Sequence, residues 1–208
     1  MKQRNLKLVS WLLFAVVVAL AFVVWAQQRL DGKPLSLYDY FPLLGLTAFS
    51  VMWTHYIVGG LRRYVGLSVR ENKDYFKYTS IFVLVCILLH PSLLILQLNN
   101  DGFGLPPGSY LQVYPGLAMK IALMAGTVSL LTFLAFEFKG KFGKKPWWKV
   151  VDFAQLLAMI FILYHGFTLG RELSVGWFRI IWVFYGVSFI AVASYNYWYD
   201  RRVVKKES

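Results

Sequence analysis

The chemistry this chain could do rests on its three histidines, and two of them share a setting. His90 lies in FVLVCILLHPSLLIL, and His165 lies in WWKVVDFAQLLAMIFILYHGFTLGR, from Trp147 to Arg171. Both stretches have the length and polarity of a membrane-spanning helix. An imidazole in hydrocarbon is costly and faces the bundle interior or a partner. Neutral imidazole is also a good iron ligand, and axial ligation is how a protein holds and tunes a haem. Two such histidines at one depth, on helices crossing in one direction, point to bis-histidine ligation of one haem b. The competing reading is that both only hydrogen-bond to backbone or hydroxyl groups of neighbouring helices.

The elements that must bring the pair together follow from composition. Of 208 residues, 58% are hydrophobic, 18% aromatic and only 15% charged. A soluble fold of this size could not hide so much apolar surface, so the class is a polytopic membrane protein, with no room for a second soluble domain. Six apolar runs are long enough to span, at about 8–26, 42–61, 78–98, 111–136, 148–169 and 176–197. They make one all-α transmembrane domain, 1–208, in the form of a six-helix bundle. The run 8–26 follows Lys2, Arg4 and Lys7, and Val24-Trp25-Ala26 has the look of a signal cleavage site. The run is long for a signal peptide, so a retained anchor is expected. Asp31 to Pro42 and Asn99 to Pro107 are polar loops, and the tail from Tyr199 is basic.

Six spans divide the charges unevenly. The N-terminus, 62–77, 139–149 and the tail hold 17 of the 22 Lys and Arg residues. The other side holds Arg29, Lys33, Lys120, Arg171 and Arg179. By the positive-inside rule both termini are cytoplasmic, in a bacterial cytoplasmic membrane. His90 then lies 13 residues beyond Lys77 and His165 lies 16 beyond Lys149, on spans of the same direction. Those offsets agree to within about one helical turn, in the outer half.

Other residues take supporting parts. Val83, Cys86, Ala158 and Ile162, a turn or so away, and Gly166 leave room for a flat macrocycle, and Pro91 is positioned to bend span three. Arg171, Arg179 and Lys120 are candidate partners for haem propionates, since Arg matches carboxylates by geometry. Each could equally be a cation snorkelling to the interface. His55, seven residues before Arg62, belongs to the inner half. It either bonds across helices or forms part of an inner quinone or flavin site, where Phe153, Trp147 and Trp148 could contribute; the two tryptophans fit an interfacial belt better. Asp152 reads as an interfacial carboxylate near Lys149. Cys86 among apolar side chains is a poor thiolate ligand, and Met159 lies about two turns below His165. Glycine-rich phosphate loops, paired cysteines, H-E-x-x-H and a Ser-His-Asp set are absent from the sequence.

Arg62-Arg63-Tyr64-Val65-Gly66-Leu67, a span reaching Leu89-His90, and Trp148 ahead of a span with His165 together resemble the ferric-reductase-like transmembrane domain family. That family includes ferric reductases, NADPH oxidases and the haem-bearing membrane subunit of the periplasmic methionine sulfoxide reductase system. The resemblance covers about 42 to 197. It implies that His90 and His165 are axial haem ligands. Two-haem members carry a further histidine 13 or 14 residues earlier on each helix; this chain has Phe76 or Lys77 and Asp152 there. The departure implies a single outer haem.

The expectation is therefore a membrane cytochrome b, the electron-transfer subunit of an oxidoreductase. It lacks flavin and nicotinamide domains of its own, so donor (a flavoprotein or quinol) and acceptor are separate molecules. Lipid is the other partner, and nucleic acid is not one. The alternative class is a non-redox small transporter, or a lipid-binding or scaffold subunit.

Overall fold

Helices are what a membrane-spanning chain must form, because lipid offers no partner for backbone N–H and C=O groups. The computed structural model describes residues 2–29, 34–174 and 176–207. Within them the chain is α1 Lys2–Arg29, α2 Leu37–Tyr64, α3 Lys73–Asn100, α4 Gly108–Val113, α5 Leu117–Phe136, α6 Lys139–Phe142, α7 Trp148–Leu169 and α8 Trp177–Glu207, with no strand among the described residues. α1, α2, α3, α5, α7 and α8 are long and apolar enough to cross a bilayer. The protein is an integral membrane protein with six spanning helices among the described residues. Lys33 lies outside the described residues, as do Ser208 and the side chains of the basic tail from Asp200.

One boundary differs from expectation. The run expected at 111–136 is not one helix: α4 ends at Val113 and α5 begins at Leu117. Pro115 cannot donate a backbone hydrogen bond and disfavours a helical residue before it. Tyr114 has left the helical region, with φ −118° and ψ 75°, and Gly116 is extended. By contrast α3 runs unbroken through Pro91.

The connections separate into two ends. At one, Arg29 pairs with Asp39 at the start of α2 and with Glu172 in the turn after α7. The 101–116 segment closes the same end, where Tyr110 of α4 joins Arg29 in lining a cavity. At the opposite, basic end, Asn72 donates to Ser10 of α1 (2.9 Å), and Lys139 meets Asp152 at 2.9 Å.

The core forms where α2 meets α8. Phe49 packs on Trp182 with ring centres 4.4 Å apart, and Trp53 stacks on Tyr185 at 4.3 Å. Val17, Ala21 and Val24 bury α1 in the same cluster. α5 and α7 form a separate hairpin, tied by side chains that bond across to backbone. Ser129 donates to the Ala158 carbonyl (3.1 Å) and Gln155 to that of Thr132 (2.7 Å). The hairpin packs most closely within itself and only sparsely against α2 and α8. The molecule thus has a seam, with α1, α2, α3 and α8 on one side and α5 and α7 on the other.

Candidate functional site

His90 and His165 face each other across this seam, with ring centres 6.3 Å apart and planes at 75°. The His90 Nδ1 donates to the Phe41 carbonyl at 2.6 Å, and the His165 Nδ1 to the Ala122 carbonyl at 2.9 Å. A carbonyl only accepts, so both Nδ1 atoms carry the hydrogen. In the neutral ring Nε2 keeps its lone pair, the arrangement that orients a metal-ligating histidine.

Two glycines make room for the rings. A Cβ on Gly45 of α2 would come within 2.8 Å of the His90 ring, and one on Gly126 of α5 within 2.6 Å of the His165 ring. Real Cβ contacts are never that short. The sequence points to space one turn along α3 and α7; the glycines that clear the rings are on α2 and α5. Of the residues it named, Ile162 and Gly166 line this cavity and Val83 lines another. Cys86 and Ala158 are buried elsewhere, Ala158 against Ser129. Interhelical hydrogen bonds in a membrane contribute about 0.6 kcal/mol each. Two of them fall short of the roughly 2 kcal/mol that two glycines cost in helices. Hydrogen bonding alone is a weak reason for this construction.

The pair lines a cavity of about 200 Å³. Its walls are mainly apolar, including Leu94, Leu123 and Phe133. The donor set can be tested against a haem. Two metal–imidazole bonds of about 2.0 Å, each starting about 1.1 Å from its ring centre, put the centres roughly 6.2 Å apart. The observed spacing fits two axial ligands on one metal. A bare ion would need more donors, and no three His, Cys, Asp or Glu side chains cluster among the described residues. A macrocycle supplies four donors itself and asks the protein for two, so the residues present fit the group.

The cations are distributed unevenly. Arg171 lines the cavity, exposed at its rim. Arg179 lies instead with its guanidinium 6.0 Å from the Phe167 ring centre, reaching the Ser174 carbonyl at 3.5 Å. Lys120, half-buried near the start of α5, is outside the cavity lining. Sequence reasoning missed Arg29, which does line the cavity. Tyr110 lines it too, and burial, then the neighbouring Tyr114, pushes its phenol up, so it presents a neutral hydroxyl.

A second, larger cavity of about 1320 Å³ lies toward the basic end and shares Met52, Ile87 and Phe133 with the first. His55, Phe76, Asp152, Phe153, Arg63, Lys139 and Lys149 help line it; Trp147 and Trp148 do not. The Thr79 hydroxyl donates to the Tyr75 carbonyl at 2.6 Å. It therefore accepts from His55 Nε2, also at 2.6 Å, which leaves His55 Nδ1 as an acceptor. Asp152 accepts from Lys139 and from the Trp148 indole.

No family model matches the chain, and no curated protein or solved structure matches it either. Fold and site define a class on their own: an all-α membrane protein with six spans among the described residues and two neighbouring, tautomer-fixed histidines half-buried at its seam.

Proposed function

We propose that this protein is a membrane cytochrome b that holds one haem between His90 and His165 and serves as the electron-transfer subunit of an oxidoreductase. The observation that carries the reading is the histidine pair: 6.3 Å between ring centres, with both Nδ1 atoms committed to backbone carbonyls. A bound haem supplies one-electron transfer, at a potential set by its axial ligands and burial. His90 and His165 supply the two nitrogen donors. The Phe41 and Ala122 carbonyls hold their orientation. Leu94, Leu123 and Phe133 keep water away, and Arg171 at the rim favours acidic side groups. The resemblance to the ferric-reductase-like family supports the same ligand pair.

In this reading the basic end faces the cytoplasm, and the larger cavity serves a separate electron donor, with His55 helping to seat a quinone or flavin. The acceptor is a further molecule at the opposite end. The size of that cavity also favours a second reading, a non-redox protein that takes up lipid or a small solute. An absorption spectrum with a pyridine haemochrome assay on the purified chain separates the two. A Soret band and one haem b per chain are expected. His90→Ala and His165→Ala should each abolish the low-spin spectrum or convert it to high-spin. A colourless protein that stays colourless on haem addition rejects the proposal.

A further inference from the structure

We infer that His55 makes the larger cavity selective for the reduced, hydroxyl-bearing form of a lipophilic quinone, and that Thr79 sets this selectivity. The inference rests on the reading of that cavity as the electron donor's site, and it says which redox form the site holds. Thr79 belongs to α3 and is almost fully buried. Its hydroxyl has one proton, given to the Tyr75 carbonyl at 2.6 Å on the same helix. Only an oxygen lone pair is left for His55, 2.6 Å away on α2. Nε2 must then carry the hydrogen, and a neutral imidazole has one N–H and one lone pair. That lone pair is on Nδ1, which has no hydrogen-bond partner among the described residues. Thr79 is a positioning residue: it decides which nitrogen is the acceptor.

The walls decide what the acceptor meets. Toward the histidine pair the cavity is lined by Met52, Val83, Ile87, Phe133 and Met159, none of which has a side-chain N–H or O–H. The cationic donors Arg63, Lys139 and Lys149 also line it. Arg63 is eight residues beyond His55, about 12 Å of helix. Tyr56, Ser80 and Asn196 line it as well. Asn196 Oδ1 is buried without a partner, so no bond to that oxygen fixes which way the amide points. Hydroxyls and amides both donate and accept, so these three serve either redox form. His55 serves only one. A hydroquinone gives an O–H to Nδ1, whereas its oxidised quinone has only carbonyl oxygens and sets lone pair against lone pair. Among apolar walls the unmade bond carries the full desolvation cost of the acceptor. The site therefore takes up the form that has electrons to give and releases the form that has given them. A histidine that merely ties α2 to α3 would explain the Thr79 contact, but it predicts no preference between two redox forms of one ring.

The test uses the purified full-length chain in detergent without oxygen. The probes are decylhydroquinone, decylquinone and decylhydroquinone dimethyl ether, which share ring and tail; only the first has O–H donors. Binding is read by isothermal titration calorimetry, which needs no bound haem. Wild type should bind the hydroquinone about tenfold more tightly than the quinone or the ether, the ratio of a made to an unmade buried hydrogen bond. His55→Phe keeps a flat ring without the acceptor and should bind all three alike. Thr79→Val frees the imidazole to present either nitrogen as N–H, and should lose most of the preference while binding the quinone more tightly than wild type does. A merely structural Thr79 would instead weaken all three together. Helicity and elution volume check folding, and His55→Gln, whose amide serves both redox forms, stands in if the phenylalanine variant does not fold. Equal affinity of wild type for hydroquinone and quinone overturns the inference, as does a His55→Phe variant that keeps the preference. Tighter binding of reduced flavin mononucleotide than of the hydroquinone also overturns it and gives the cavity to a flavin. A chain that takes up no haem yet keeps the preference overturns the haem reading alone.

Discussion

Gly45 and Gly126 set how deeply the two imidazoles sit, and they offer a sharper probe than the histidines themselves. Gly45→Ala and Gly126→Ala each put a methyl where a histidine ring now lies. Both should lower haem content severalfold and shift the Soret maximum without removing a ligand. Gly59→Ala is the control, because nothing lies within 4 Å of its new Cβ. Equal haem content in all three variants would separate the glycines from the site. His55→Ala should leave the spectrum intact, since His55 belongs to the other cavity, and should slow reduction from the basic end. Loss of haem in His55→Ala but not in His165→Ala would move the site to the inner half. The histidine pair was legible in the sequence because helical rise converts residue number into depth. Gly45, Gly126 and Arg29 were not. Their importance comes from which helix lies beside which, and the spacing of charges and apolar runs does not encode that.

At the scale of elements, the six spans read correctly from apolar length because backbone satisfaction in lipid leaves few alternatives. The break between α4 and α5 was missed. Leu111 and Val113 extend the apolar pattern across Tyr114-Pro115-Gly116, so hydropathy continues where hydrogen bonding stops. The alternation of ends ties sidedness to charge. Reporter fusions after Ser208 and within 99–108 should give opposite signals, with Ser208 cytoplasmic. An extracytoplasmic C-terminus would reject the orientation that the basic loops imply. Pro115→Ala is a second probe of the same region. It allows α4 and α5 to join, which should displace Tyr110 from the cavity and lower haem retention in a Soret titration.

For the whole molecule, the seam would make a ligand held by both histidines part of the architecture. His90 belongs to one side and His165 to the other, so anything bound to both holds the sides together. Added haem should stabilise wild type, as any ligand selective for the folded state does, by about 4 kcal/mol at a thousandfold excess over Kd, read as a rise in the thermal unfolding midpoint. His165→Ala should lose nearly all of that increment. An increment of the same size in the variant would mean that haem associates elsewhere.

The order in which the helices leave the ribosome gives the seam a further meaning. The aromatic face of α2, built on Phe49 and Trp53, is covered by Trp182 and Tyr185 of α8, which follows α5 and α7 in the chain. α5 and α7 are synthesised between these two partners. His165, on α7, therefore precedes in the chain the helix that covers the aromatic face of α2. Both imidazoles are thus in the chain before the segment that completes the α2 packing is made.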